Sequence, residues 1–176
     1  MKKYIAAVAF TATAVLSASC AFANAGTVNF QGKIIDAACD VDVGTQNQTV
    51  QLGAYNKSEF TQAGDKTAAT KFNIVLKNCP ATVTGAKVRF DGTPETKDST
   101  LLAIDSSVAG AATNVAINLM TADKADLPLS GTNSYVYNLT DAGDNTLNFY
   151  AQYEATAAGV TAGPANAVAN FSVDYQ

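Results

Sequence analysis

Apolar and polar residues alternate along most of this chain. Phe72, Ile74 and Leu76 are separated by Asn73 and Val75, and Ala86, Val88 and Phe90 by Lys87 and Arg89. Val50 and Leu52 flank Gln51, and Val115, Ile117 and Leu119 flank Ala116 and Asn118. Leu147, Phe149, Ala151 and Tyr153 flank Asn148, Tyr150 and Gln152. Successive side chains of a strand point to opposite faces, so each run predicts a strand with one face on a core. Tyr135, Tyr137 and Leu139 predict a further strand, and residues 141–145 a hairpin turn after it. Residues 101–104 fit a strand or a helical turn, and the polar residues 56–71 a loop or a short helical turn. No window carries a long apolar stripe of period 3.6, so no long helix is expected. Short strands between Gly, Asn, Asp and Thr clusters predict an all-β sandwich in one domain.

Two terminal stretches need a partner surface. In residues 24–32, Gly26, Val28 and Phe30 share one parity and Thr27, Asn29 and Gln31 the other. Such an arm is either an ordinary edge strand of its own sheet or a ribbon for a groove on another copy, and alternation alone favours the first. Toward the other end, residues 155–173 contain no charged residue. Residues 155–164 read as a turn or loose strand. Pro164 cannot donate to a ladder, so a fresh strand is expected over residues 165–176. Its apolar face is Ala167, Ala169, Phe171, Val173 and Tyr175, and it alternates up to the penultimate residue, where most domains fray. Soluble proteins blunt apolar edge strands with charge or proline, and residues 165–173 carry neither.

The first residues read as a signal peptide. Met1-Lys2-Lys3 is a basic start, residues 5–16 are mostly apolar, and Ala21-Phe22-Ala23 is a small-residue cleavage pattern. Cleavage after Ala23 is expected; Ala23-Asn24-Ala25 would move it by two residues. The apolar run is too short to span a bilayer. A lipoprotein site at Cys20 is set aside, because Ser17 stands where Leu is wanted. The 153 residues that remain suit one domain with a real core. Without Lys2 and Lys3, nine basic residues face 15 acidic ones, a net charge of −6 and no footprint for nucleic acid.

Candidate chemistry is sparse. Cys39 and Cys79, a pair behind a secretory signal, read as a disulfide. Chain entropy assigns such a loop about 4 kcal/mol. With no histidine, a Ser-His-Asp triad is excluded and a metal site disfavoured, so no catalytic residue and no cofactor is expected. The pairs Asp40/Asp42 and Asp123/Asp126 read as solvent-facing rather than as a glycosidase pair. Residues 141–145 resemble a calcium loop loosely but lack its bidentate Glu. Tyr135 and Tyr137 read as cross-strand partners of Phe149, Ala151 and Tyr153 on one sandwich; the alternative is that Tyr135, Tyr137, Tyr150 and Tyr153 form a sugar platform or a subunit interface.

Taken together, the motifs carry a resemblance. They are Gly26-Thr27-Val28-Asn29-Phe30-Gln31-Gly32, Ile34-Ile35-Asp36-Ala37-Ala38-Cys39-Asp40-Val41-Asp42, Gln48-Thr49-Val50-Gln51-Leu52-Gly53, Phe72-Asn73-Ile74-Val75-Leu76-Lys77-Asn78-Cys79, Ala112-Thr113-Asn114-Val115 and the ending from Ala165 to Gln176. With the penultimate Tyr175 and with Gly163 fourteen positions from the end, the chain resembles the pilins of type 1-like fimbriae built by the chaperone–usher pathway.

The resemblance implies an incomplete immunoglobulin-like β-sandwich that lacks its final strand. It divides the chain into a signal peptide (residues 1–23), a donor arm (residues 24–32) and a pilin domain (residues 33–176). A periplasmic chaperone would fill the gap first. At an outer-membrane usher the arm of the next subunit would replace it, giving a homopolymer on the cell surface by β-augmentation. Gly26, Val28 and Phe30 would face the neighbour's groove. Gly163, Ala167, Ala169, Phe171, Val173 and Tyr175 would form the receiving groove and meet the chaperone. The arm before Gly26 is only Asn24-Ala25, shorter than in the best-known rod subunits, so a minor tip adapter is the alternative. A carbohydrate-binding adhesin is the rival from another class, although 153 residues leave no room for an added lectin domain. Any host receptor is left unspecified.

Overall fold

The computed structural model describes residues 26–32, 34 and 37–176. The chain divides into a leading unit, Met1–Ile34, and a compact unit, Ile35–Gln176. The expected signal segment and the cut after Ala23 lie outside the described residues.

In the leading unit, residues 26–32 form no strand. Val28 is 74% and Phe30 93% exposed. An isolated ribbon has no ladder to pair with, and its period-two pattern alone does not hold it extended.

The compact unit is two sheets packed face to face. The first has five strands in the order β1 (Asp40–Val41), β2 (Thr70–Lys77), β7 (Asn145–Ala155), β5 (Val115–Met120) and β4 (Leu102–Ala103). The second has three, β6 (Tyr137–Asn138), β3 (Gly85–Gly92) and β8 (Ala169–Tyr175). Every named pairing is antiparallel. The alternating residues of β2, β3, β5 and β7 meet between the sheets, where Ile74, Leu76, Val88, Leu147 and Phe149 are fully buried. Phe149 is the centre of an aromatic cluster, with ring centroids 5.5 Å from Phe72, 5.3 Å from Phe90 and 5.2 Å from Tyr137.

Two expectations are corrected. The alternation at Val50 and Leu52 does not make a strand. The edge of β2 that such a strand would have paired is met by side chains instead. Gln48 Nε2 donates to the Asn73 carbonyl at 2.8 Å, and Val75 N–H donates to Thr45 Oγ1 at 3.2 Å. Thr45 lies in a short helix, α1 (Val43–Gln46), capped by Asp42, whose carboxylate accepts from Gly44 N. Residues 141–145, in turn, are not a hairpin: they carry the chain from β6 in one sheet to β7 in the other. Tyr137 and Phe149 therefore meet across the sandwich rather than along one sheet, and the Tyr137 hydroxyl donates to the Asn148 carbonyl at 2.6 Å. The polar stretch 56–71 contains a single 3-10 turn, Lys57–Glu59, closed by a capping box between Asn56 and Glu59.

Candidate functional site

The second sheet ends in a strand whose inner face is not covered. Among the described residues β8 pairs with β3 alone, in the register Ala86↔Tyr175, Val88↔Val173, Phe90↔Phe171 and Gly92↔Ala169. On β3 the inward residues Ala86, Val88 and Phe90 are buried. On β8 their partners Tyr175, Val173 and Phe171, and Ala169 opposite Gly92, pack on the same core yet stay half-exposed, as does Ala167 just before the strand. One row of a sheet is thus sealed and the adjacent row open, which is the geometry of an edge that has lost its neighbour.

The far wall of this opening is set by Cys39 and β1. Cys39 is disulfide-bonded to Cys79, with Cα atoms 4.2 Å apart. Tyr175 spans the gap, its hydroxyl donating to the Cys39 carbonyl at 3.2 Å. Burial, and after it the Asp40 carboxylate, pushes the Tyr175 phenol up, so it remains a donor at neutral pH. Asn145 supports the disulfide from behind: its Nδ2 lies 3.3 Å from Cys79 Sγ and donates to Thr140 O at 2.8 Å, while its Oδ1 accepts from Thr140 N. Lys77 Nζ ties this end down, 2.6 Å from Asp42 Oδ2 and 3.6 Å from Asp144 Oδ2.

Gly163 stands apart from the β8 row. A Cβ there would collide with Gly110 O and lie 2.7 Å from Ala112 N. The two backbones cross closely, joined by Ala112 N–H donating to Pro164 O at 2.9 Å. Gly163 also lines an open cleft of about 290 Å³ with Tyr55, Phe60, Val115, Tyr153 and Val160.

This open-edged sandwich carries the sequence of a known family. A family model described as "Fimbrial protein" matches residues 28–176. This chain belongs to that fimbrial protein family. Among its relatives, "Fimbrial subunit type 1" of Klebsiella pneumoniae is 44% identical over 155 residues, covering 87% of this chain and 85% of that protein. "Type-1 fimbrial protein, A chain" of Escherichia coli (strain K12) is 40% identical over 174 residues, covering 98% and 94%. Among solved structures, the P pilus rod subunit PapA matches with a TM-score of 0.64 at 28% identity, covering 80% of this chain and all of that one. The chain is a fimbrial structural subunit of immunoglobulin-like pilin fold, and it is not an enzyme.

The remaining candidates of this fimbrial subunit are structural. Asp42 caps α1, and Asp123 accepts from the Thr121 hydroxyl. The four tyrosines make no common platform. Tyr137 is buried, Tyr150 stacks beneath Lys124 Nζ at 5.1 Å, and Tyr153 donates to Ala165 O and meets Tyr55 edge-on. Two residues were not marked by the alternation as read. Ile34 continues the parity of Gly26, Val28 and Phe30 and is 97% exposed, a signal present just past the boundary set for the arm. Asn145, behind the disulfide, has no signal in the pattern at all.

Proposed function

We propose that this fimbrial subunit polymerises by donor-strand exchange. The half-exposed inner row of β8, on an edge that pairs with nothing among the described residues, carries this reading. The complementary piece is the arm, with Val28, Phe30 and Ile34 exposed. Donated to a neighbour, the arm supplies a backbone ladder to the free edge of β8, and its alternate side chains enter the row of Ala167, Ala169, Phe171, Val173 and Tyr175. Gly26 fits where the row is shallow. Before assembly a periplasmic chaperone covers the same row, and an outer-membrane usher exchanges the chaperone strand for an arm and delivers a homopolymer to the cell surface. An uncovered row of this kind in a free subunit is an aggregation hazard, which supports obligatory capture.

Deleting residues 24–30 tests this. The truncated subunit is expected to bind its chaperone but not to add to another subunit's groove, as read by native gels of chaperone-bound and polymeric forms. Normal fibres from the truncated chain would refute the exchange.

A further inference from the structure

One polar cluster takes no part in the groove. β7 alternates, with Phe149 and Ala151 in the core and Glu154 on the opposite parity. There Glu154 forms an isolated β-bridge with Lys66 and pairs with Ala116 of β5, two residues from Asn118. Two side chains converge on one oxygen of Glu154. Lys66 Nζ lies 3.2 Å from Glu154 Oε2, and Asn118 Nδ2 donates to that same atom at 2.7 Å. A second carboxylate repeats the arrangement: Asp126 Oδ1 accepts from Asn118 Nδ2 at 3.0 Å and lies 3.8 Å from Lys66 Nζ. The cluster is shielded on one side only: the Glu154 side chain is 14% and Asn118 4% exposed, whereas Lys66 is 37% and Asp126 65% exposed.

The amide is unevenly satisfied. Carboxylates accept only, so the Asn118 nitrogen must face them. Its Oδ1 is then buried with no hydrogen-bond partner, whereas buried amides normally satisfy both ends. A primary amine, a carboxamide held by its nitrogen and a carboxylate touching both are the parts of an amide exchange, and proximity of this kind replaces an encounter in solution.

We propose that Lys66 and Asn118 are joined by an intramolecular isopeptide bond, with Glu154 as the catalytic carboxylate. Glu154 takes a proton from the Lys66 ammonium. The freed amine attacks Asn118 Cγ, forming the Nζ–Cγ bond. The Cγ–Nδ2 bond then breaks as Glu154 returns its proton to the leaving nitrogen, and the attacking nitrogen sheds its extra proton to the carboxylates and so to the departing ammonia. In sum, an ammonium side chain and a primary amide become a secondary amide and an ammonium ion. Both carboxylates end as they began, and no oxidant or other co-reactant is consumed. The product ties the segment before β2 to β5 independently of the disulfide.

Mass spectrometry of the full mature subunit, exported with its chaperone and reduced at Cys39–Cys79, tests this. The wild-type chain is expected to be lighter by one ammonia than its N-terminally determined sequence, and to yield a branched tryptic peptide joining the Lys66 and Asn118 segments. Lys66→Arg keeps the positive charge and Glu154→Gln the shape; each is expected at full mass with unbranched peptides. A wild-type subunit at full mass, with the two peptides recovered separately, would overturn the proposal. So would the loss of ammonia without a branched peptide, which is cyclisation elsewhere, or a branched peptide that persists in Glu154→Gln.

Discussion

Phe30→Ala separates the two roles that an apolar arm residue can have. In the subunit itself Phe30 is 93% exposed, so its removal takes almost nothing from the subunit's own core. Under the proposed exchange the same ring would enter a neighbour's groove, on the row that contains the half-buried Phe171. Full burial of such a side chain contributes about 1.5–3 kcal/mol. At 1.4 kcal/mol per factor of ten, each junction is expected to open roughly 10- to 150-fold faster in the variant. The assay follows the decay of purified fibres to monomers in denaturant, beside the thermal midpoint of the chaperone-bound subunit. Junction lifetime is expected to drop while that midpoint stays put. Fibres as durable as wild type would refute the reasoning, and a lowered midpoint would place Phe30 in its own subunit's core.

Other outcomes follow from the groove walls and surface charge. Tyr175→Phe keeps the ring but removes the bond to the Cys39 carbonyl, worth about 1 kcal/mol, and Tyr175→Ala is expected to weaken chaperone co-purification further; unchanged capture by the alanine variant would count against the groove. Cys39→Ser opens a loop of sequence separation 40 and is expected to cost about 4 kcal/mol, read as lost periplasmic yield under oxidising conditions; equal yield would make the staple dispensable. Asp42, Asp65, Asp98, Asp105 and Asp123 are held below the ordinary carboxylate value of 3.8: Asp42 first by Lys77, Asp65 first by the Gln62 N–H, and the others first by hydroxyls of Thr100, Ser107 and Thr121. Depressed folded values give stability that is complete above 3.8 and lost as pH falls through them. Circular dichroism of the fibres is expected to stay flat from neutral pH down to about 5 and to begin to weaken only below about 4; an onset above pH 5 would contradict these assignments.

The strands that bury one face were legible because burial imposes period two. β2, β3, β7 and the row of β8 follow it, β5 alternates in sequence although both its faces are buried, and the short β4 settles the ambiguity at residues 101–104. Residues 48–53 show the same period without a ladder, because Gln48 and Thr45 satisfy the edge of β2 through side chains, which alternation cannot report. The turn at residues 141–145 was legible as a turn but not as a crossing between sheets, since turn chemistry sets local φ and ψ and not the destination of the next strand. At the groove, the apolar face of β8 was readable. The reach of Tyr175 to Cys39 O was not, because it depends on where a distant backbone lies once both sheets have packed. Gly163, expected in the receiving groove, lies instead where two backbones cross too closely for any side chain, a packing demand that alternation does not report.

The bond between Cys39 and Cys79 has a mechanical consequence in a fibre assembled through the arm. Tension applied along such a fibre enters each subunit through the residues that follow the arm and meets Cys39 before the two-residue β1. The covalent link passes that load directly to the end of β2, a long interior strand zipped to β7, so the two-residue ladder between β1 and β2 is bypassed rather than peeled.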